Sequence, residues 1–111
     1  MNEQQIHEAV IQHLRARGNP NAVWFHVPNQ SKATPGYRRK LAAMGLRPGT
    51  SDIIALHNKE AFALELKRDG GRPTEHQLAF LDDWRAAGGH GVVAEGLDEA
   101  LAICKTWGLI R

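Results

Sequence analysis

Asp52, Glu65 and Lys67 are the residues whose types and spacing could do chemistry. Asp52 sits at the head of one β-rich run, SDIIALH, and Glu65 and Lys67 close the next, EAFALELK. Between the runs, Asn58 and Lys59 can make a tight turn, because asparagine tolerates left-handed geometry. No glycine follows Asn58, so the commonest hairpin signal is incomplete. With the turn at Asn58-Lys59, His57 faces Glu60, Ala55 faces Phe62 and Asp52 faces Glu65. Directly opposed side chains share a face, with Cβ atoms about 4.5–5.5 Å apart. Lys67, two residues beyond Glu65, shares that face too. Phe62, Leu64 and Leu66 line the other face with Ile53 and Ala55, which is the natural core side. The convergence depends on the register, since a slip of one residue would put Asp52 on the opposite face from Glu65.

Two facing carboxylates need a partner. At about 5 Å and an effective dielectric near 20 their repulsion is roughly 3 kcal/mol, a large share of the roughly 5–15 kcal/mol that stabilises a small domain. Lys67 offsets part of it. A divalent cation would offset more, because hard carboxylate oxygens suit Mg²⁺ or Mn²⁺. Such an ion lowers the pKa of a bound water and neutralises charge developing on a phosphate, and an ammonium beside it can orient that water or steady the transition state. The same residues also read as a cross-strand charge cluster on a solvated sheet face. The pattern alone leaves both readings open.

The elements that must position these groups are legible from periodicity. Residues 3–17 read as an amphipathic helix with Ile6, Val10 and Leu14 inward, Asn2 as its N-cap and Gly18 before Asn19-Pro20 as its stop. Residues 22–27 are a short strand ended by Pro28, and 28–37 read as a polar loop. A short helix is expected from about Arg38 to Met44, closed by Gly45, then a turn at 47–51 and the hairpin. Thr74 begins a helix to about Ala87, with Leu78, Leu81 and Trp84 at core spacing. Val92-Val93-Ala94 make a short strand. Asp98 is placed to cap a last helix through about Trp107, with Ala100, Leu101 and Cys104 inward. The order αβ(α)ββαβα predicts an α/β fold, a sandwich with a mixed central β-sheet flanked by helices.

The 111 residues suit a single domain, and 42% hydrophobic with 23% charged residues is a globular composition. No apolar run approaches the ~20 residues of a membrane span, and the N-terminus lacks the pattern of a secretory signal. The single Cys104 cannot form an internal disulfide and reads as a core residue of a cytoplasmic protein. Net charge is only +2, but no acidic residue lies between Glu8 and Asp52, while Arg15, Arg17, Lys32, Arg38, Arg39, Lys40 and Arg47 do. A basic half suits a polyanionic partner, of which nucleic acid is the commonest; a solvated basic surface is the alternative.

Gly49-Thr50-Ser51-Asp52 followed by Glu65-Leu66-Lys67 resembles the signature of the PD-(D/E)XK nuclease superfamily, and more closely its VRR-NUC branch of small phage and bacterial nucleases. In that branch an Asp opens one strand and Glu-x-Lys lies on the next. Gln77 in Thr74-Glu75-His76-Gln77 matches the family's Gln at the start of the following helix. The Gly-Gly and short strand after that helix also fit. The segment from His26-Val27-Pro28-Asn29 to Gly45 looks like the family's variable stretch. The likeness runs from about residue 3 to 105, and Ser51 departs from it, standing where many relatives have Pro.

The resemblance implies a restriction-endonuclease-like fold and Mg²⁺- or Mn²⁺-dependent hydrolysis of DNA. Asp52 and Glu65 would hold the metal with the Leu66 carbonyl, and Lys67 would position or activate the attacking water. Members often add a first-helix Glu, for which Glu8 is the candidate and Glu3 the next; both are equally first-turn acids favoured by the helix dipole. Gln77 has a second reading, because Thr74 and Gln77 have the spacing of a capping box. Lys32, Arg38, Arg39 and Lys40 are candidate phosphate contacts, with Asn29 and Gln30 as groove residues; a solvated helix face is the alternative. Tyr37 could stack on a base or simply pack. The six histidines show no zinc-type clustering, though His26 could approach the site. The expectation is a DNA endonuclease working as a homodimer, as junction-resolving enzymes often do. Junction- or flap-selective, restriction-type and nonspecific cutting all stay open. The main alternative is a module of the same fold that binds nucleic acid without cutting.

Overall fold

A computed structural model describes residues 1–28 and 34–111. The described residues form, in chain order, α1 (Glu3–Arg17), β1 (Val23–His26), α2 (Pro35–Ala43), β2 (Ile53–His57), β3 (Glu60–Lys67), α3 (Glu75–Ala86), β4 (His90–Glu95) and α4 (Gly96–Thr106). The strands form one sheet in the order β1-β2-β3-β4. β1, β2 and β3 are antiparallel, and β4 joins β3 in parallel. The sheet is therefore mixed and helix-flanked, as the element order requires.

The hairpin register is the anticipated one: His57 pairs Glu60, Ala55 pairs Phe62 and Ile53 pairs Leu64. Asn58 and Lys59 both adopt positive φ, 52° and 65°, the two-residue turn whose twist matches that of the strands. The register that faces Asp52 with Glu65 rests on this turn.

Helices pack on both faces of the sheet, leaving Val23 and Phe25 of β1 and Leu56 of β2 exposed. On one, Ile53, Ala55, Phe62, Leu64 and Leu66 pack with Ile6, Val10 and Leu14 of α1 and Ala100 and Cys104 of α4. On the other, Ala63 packs with Phe80 and Leu81 of α3, with Ile54, Trp84 and Val93 at its rim. The face that carries Glu65 and Lys67 is therefore no solvated sheet surface: Glu65 is 2% exposed and Lys67 7%. Among the described residues Cys104 is the free cysteine, and burial pushes its thiol up to about 11, so it is an inert core side chain.

Three local expectations need correction. α2 begins at Pro35, not near Arg38, because Thr34 accepts a hydrogen bond from the Tyr37 amide and Pro35 suits the first helical position. Leu78 is 45% exposed; Phe80 and Leu81 take the inward positions of α3, so its apolar stripe is rotated from the one its spacing suggested. Asp98 lies in the first turn of α4 instead of capping it, and Glu95 at the cap position makes no side-chain cap bond.

Candidate active site

The end of the sheet where β2 begins and β3 finishes is framed by the N-termini of α1 and α3. β3 delivers Glu65 and Lys67 there. The turn before β2 delivers Asp52, whose Oδ2 accepts a hydrogen bond from the Leu66 amide at 2.7 Å. That bond fixes the Asp52 carboxylate against β3 and beside Glu65.

The turn itself is seated on α3. Gly49 has φ +80°, and a Cβ added to it would lie 2.3 Å from the carbonyl carbon and oxygen of His76 and 2.7 Å from the Gln77 amide nitrogen. Only glycine permits this approach. One close contact thus links the segment bearing Asp52 to the helix turn bearing Gln77.

Gln77 uses both ends of its amide. Its Oε1 accepts from the Thr74 backbone amide at 2.8 Å, completing a capping box in which Thr74 Oγ1 accepts from the Gln77 amide. Its Nε2 donates to Glu65 Oε1 at 2.9 Å. The cap fixes the oxygen and leaves the nitrogen pointing at Glu65, so capping does not keep Gln77 from reaching the carboxylate.

The second carboxylate oxygen, Glu65 Oε2, is buried without a hydrogen-bond partner. Burial, then the Asp52 charge, push the Glu65 carboxyl up to about 9, against the pull of Lys67. Two carboxylates held together in low dielectric, one with an orphaned oxygen, are a donor set that a hard divalent cation fits. Among the described residues no group of three or more His, Cys, Asp and Glu converges to hold a metal, so a bound ion would draw its remaining ligands from backbone oxygens, water or substrate. Ser51 Oγ is a second buried polar atom without a partner, as suits a position where an apolar side chain would also fit.

Lys67 Nζ lies 3.8 Å from Glu3 Oε1, so α1 brings Glu3 onto the site lysine. Glu8 accepts from the Gln4 side chain at 3.3 Å and lines, with Glu3, His7, Arg15, Trp24, His26 and Asp52, a cleft of about 900 Å³ between α1 and β1. His26 approaches as anticipated, its Nδ1 3.2 Å from the Asp52 carbonyl. His7 packs edge-on against His26 with ring centroids 4.4 Å apart. Burial, then His26, hold His7 below its ordinary value, against Asp52 and Glu8. His7 was missed from sequence. Its signal was the four-residue spacing Glu3, His7, Ile11, Arg15, which places all four along one side of α1 facing the cleft. Arg38, Arg39 and Lys40 lie on α2, which packs against no other helix or strand among the described residues, while Asn29, Gln30 and Lys32 fall outside the described residues.

No protein-family model matches the chain, and no curated protein matches it. Among solved structures, a "VRR_NUC domain protein" superposes with a TM-score of 0.79 at 19% identity, over 96% of this chain and 88% of that one. The chain thus shares with that protein its α/β fold, a mixed four-stranded sheet flanked by helices.

Proposed function

We propose that the protein is a metal-dependent DNA endonuclease of the VRR-NUC kind within the PD-(D/E)XK superfamily. The observation that carries this reading is Glu65: a buried carboxyl beside Asp52, held at one oxygen by Gln77 and unpartnered at the other. Asp52 and Glu65 would hold Mg²⁺ or Mn²⁺ with the Leu66 carbonyl. When bound, the ion supplies Lewis acidity, acidifying a water and neutralising charge on the scissile phosphate.

The chain's own residues do the rest. Gln77 fixes the Glu65 carboxylate, and the Leu66 amide fixes that of Asp52. Lys67, 7% exposed and facing Glu3, holds an ammonium at the edge of the carboxylate pair. It orients the attacking water and stabilises charge developing on the phosphate, and burial strengthens that interaction. Arg38, Arg39 and Lys40 contact the DNA backbone, with Lys32 and Asn29 as further candidates. A homodimer would present two such sites to two-fold DNA.

The test is incubation of the protein with duplex, flap and four-way-junction DNA in Mg²⁺, Mn²⁺ or EDTA, beside Lys67→Ala. Cleavage that requires metal and falls by at least about a hundredfold in the variant is the expected result. A second reading, a DNA-binding module that does not cut, is favoured by one observation: no third His, Cys, Asp or Glu joins the carboxylate pair among the described residues. Intact DNA in every metal, with binding indifferent to metal, would establish it.

A further inference from the structure

α2 is built differently from the other helices. None of its residues is buried, and among the described residues no other helix or strand packs against it. Helices in small domains are stabilised mainly by burying an apolar face, so a helix that buries none has its partner elsewhere.

Its surface has a definite pattern. Tyr37, Leu41 and the C-cap residue Met44 recur at i, i+4 and i+7, which is one stripe of a helix; Leu41 is half-buried, and Tyr37 is 55% and Met44 74% exposed. At 100° per residue, Arg38 borders this stripe on one side and Lys40 on the other, with Arg39 at the back. No described residue forms an ion pair with these three cations. Arg47, at the foot of the segment, is by contrast tied to Asp83 at 2.6 Å. Both ends of the excursion are rooted at the candidate site. On the way out, the Val27 amide donates to the Asp52 carbonyl at 2.9 Å. On the way back, Gly49 is seated on the α3 turn that carries Gln77. The excursion that carries α2 thus leaves and re-enters the fold at the candidate site.

The geometry points to α2 as a docking arm that recognises interruptions in duplex DNA, its cations on the phosphates and its Tyr37–Leu41–Met44 stripe against exposed base faces. This rests on the nuclease reading for the position of the DNA and deepens it. Intact duplex offers phosphates and base edges. Base faces, the apolar surface that a Tyr or Met side chain can stack on, are exposed only where stacking is broken. An apolar stripe flanked by cations matches that combination. Isologous packing of α2 on a second copy would cover the stripe too, but it would bring two sets of three cations together without a described acid among them.

The experiment measures binding in EDTA, so that cleavage plays no part, to a linear duplex and to the same sequence carrying a single-stranded flap. The variants are Tyr37→Ser with Met44→Ser, and Arg38→Ala with Arg39→Ala; all four residues are exposed, and circular dichroism verifies the fold. The apolar pair should lose about tenfold in affinity for flap DNA, the equivalent of one lost stacked base, and less than about twofold for duplex. The cationic pair should lose affinity for both and show a shallower salt dependence. Equal loss on both DNAs from the apolar pair, or none, would overturn the proposal. So would a wild-type dimer in sedimentation that the apolar pair dissociates, which would assign the stripe to a second copy. A protein that cuts nothing yet prefers flap DNA through Tyr37 and Met44 would remove the nuclease reading and leave the arm.

Discussion

Glu65 is the residue on which the proposed chemistry turns, and its environment is measurable without substrate. Its carboxyl is raised from 4.5 to about 9, by burial first and by Asp52 next. A carboxyl whose folded value is raised binds more protons folded than unfolded. Its contribution to stability is full below about 4.5 and is lost as pH rises through about 9. Metal-free protein should therefore lose on the order of a few kcal/mol between pH 5 and pH 9, and Mg²⁺ or Mn²⁺ should restore much of it at the alkaline end. Glu65→Gln should flatten this dependence and raise the melting temperature of the metal-free protein at pH 9, while abolishing the metal effect. Thermal melts across pH, with and without metal, check all three; a flat profile in the wild type would contradict the carboxyl environment described.

At the scale of elements, the site is a junction between two segments distant in sequence, the turn before β2 and the first turn of α3. Gly49 joins them through contact with the backbone of His76 and Gln77. Gly49→Ala would meet both a close contact and a positive φ that alanine resists. It should cost at least about 2 kcal/mol, read by denaturant midpoint. It should also weaken metal binding, since Asp52 and Gln77 would no longer be held in one frame. A variant as stable as wild type and equally able to bind Mn²⁺ would show that the turn does not position the site.

The whole molecule divides its core unequally across the sheet. α1 and α4 share a large apolar layer with one face, whereas α3 holds the other through a small cluster around Ala63, Phe80 and Leu81. Gln77 and its hold on Glu65 depend on that smaller layer. Leu81→Ala should cost about 2–5 kcal/mol and reduce metal affinity in protein that is still folded. Cys104→Ala, in the larger layer, should destabilise while leaving metal affinity unchanged. Comparison of metal titrations of the two variants by calorimetry tests this, and equal metal affinity in both would contradict it.

The sequence by itself determined the element order, the caps at Asn2 and Thr74, the hairpin register and hence the pairing of Asp52 with Glu65. These are local properties, set by periodicities of two and 3.6 residues and by which residues tolerate a tight turn. Tertiary structure decided what those patterns cannot carry. Leu78 and Phe80 are both apolar residues of α3, and only the docking angle of the helix on β3 and β4 makes Phe80 the inner one. Glu65 reads as half-exposed from alternation, and only α3 lying over its face makes it buried and its proton hard to lose. Gln77 both caps α3 and reaches Glu65 because α3 points its first turn at β3. Glu3 and His7 join the site end of the molecule through the packing of α1 on the sheet, and α2 stands free because no apolar surface of the described chain reaches it. Burial and neighbours across elements are non-local quantities, fixed when the layers pack, and they decide which of the legible residues acquire unusual chemistry.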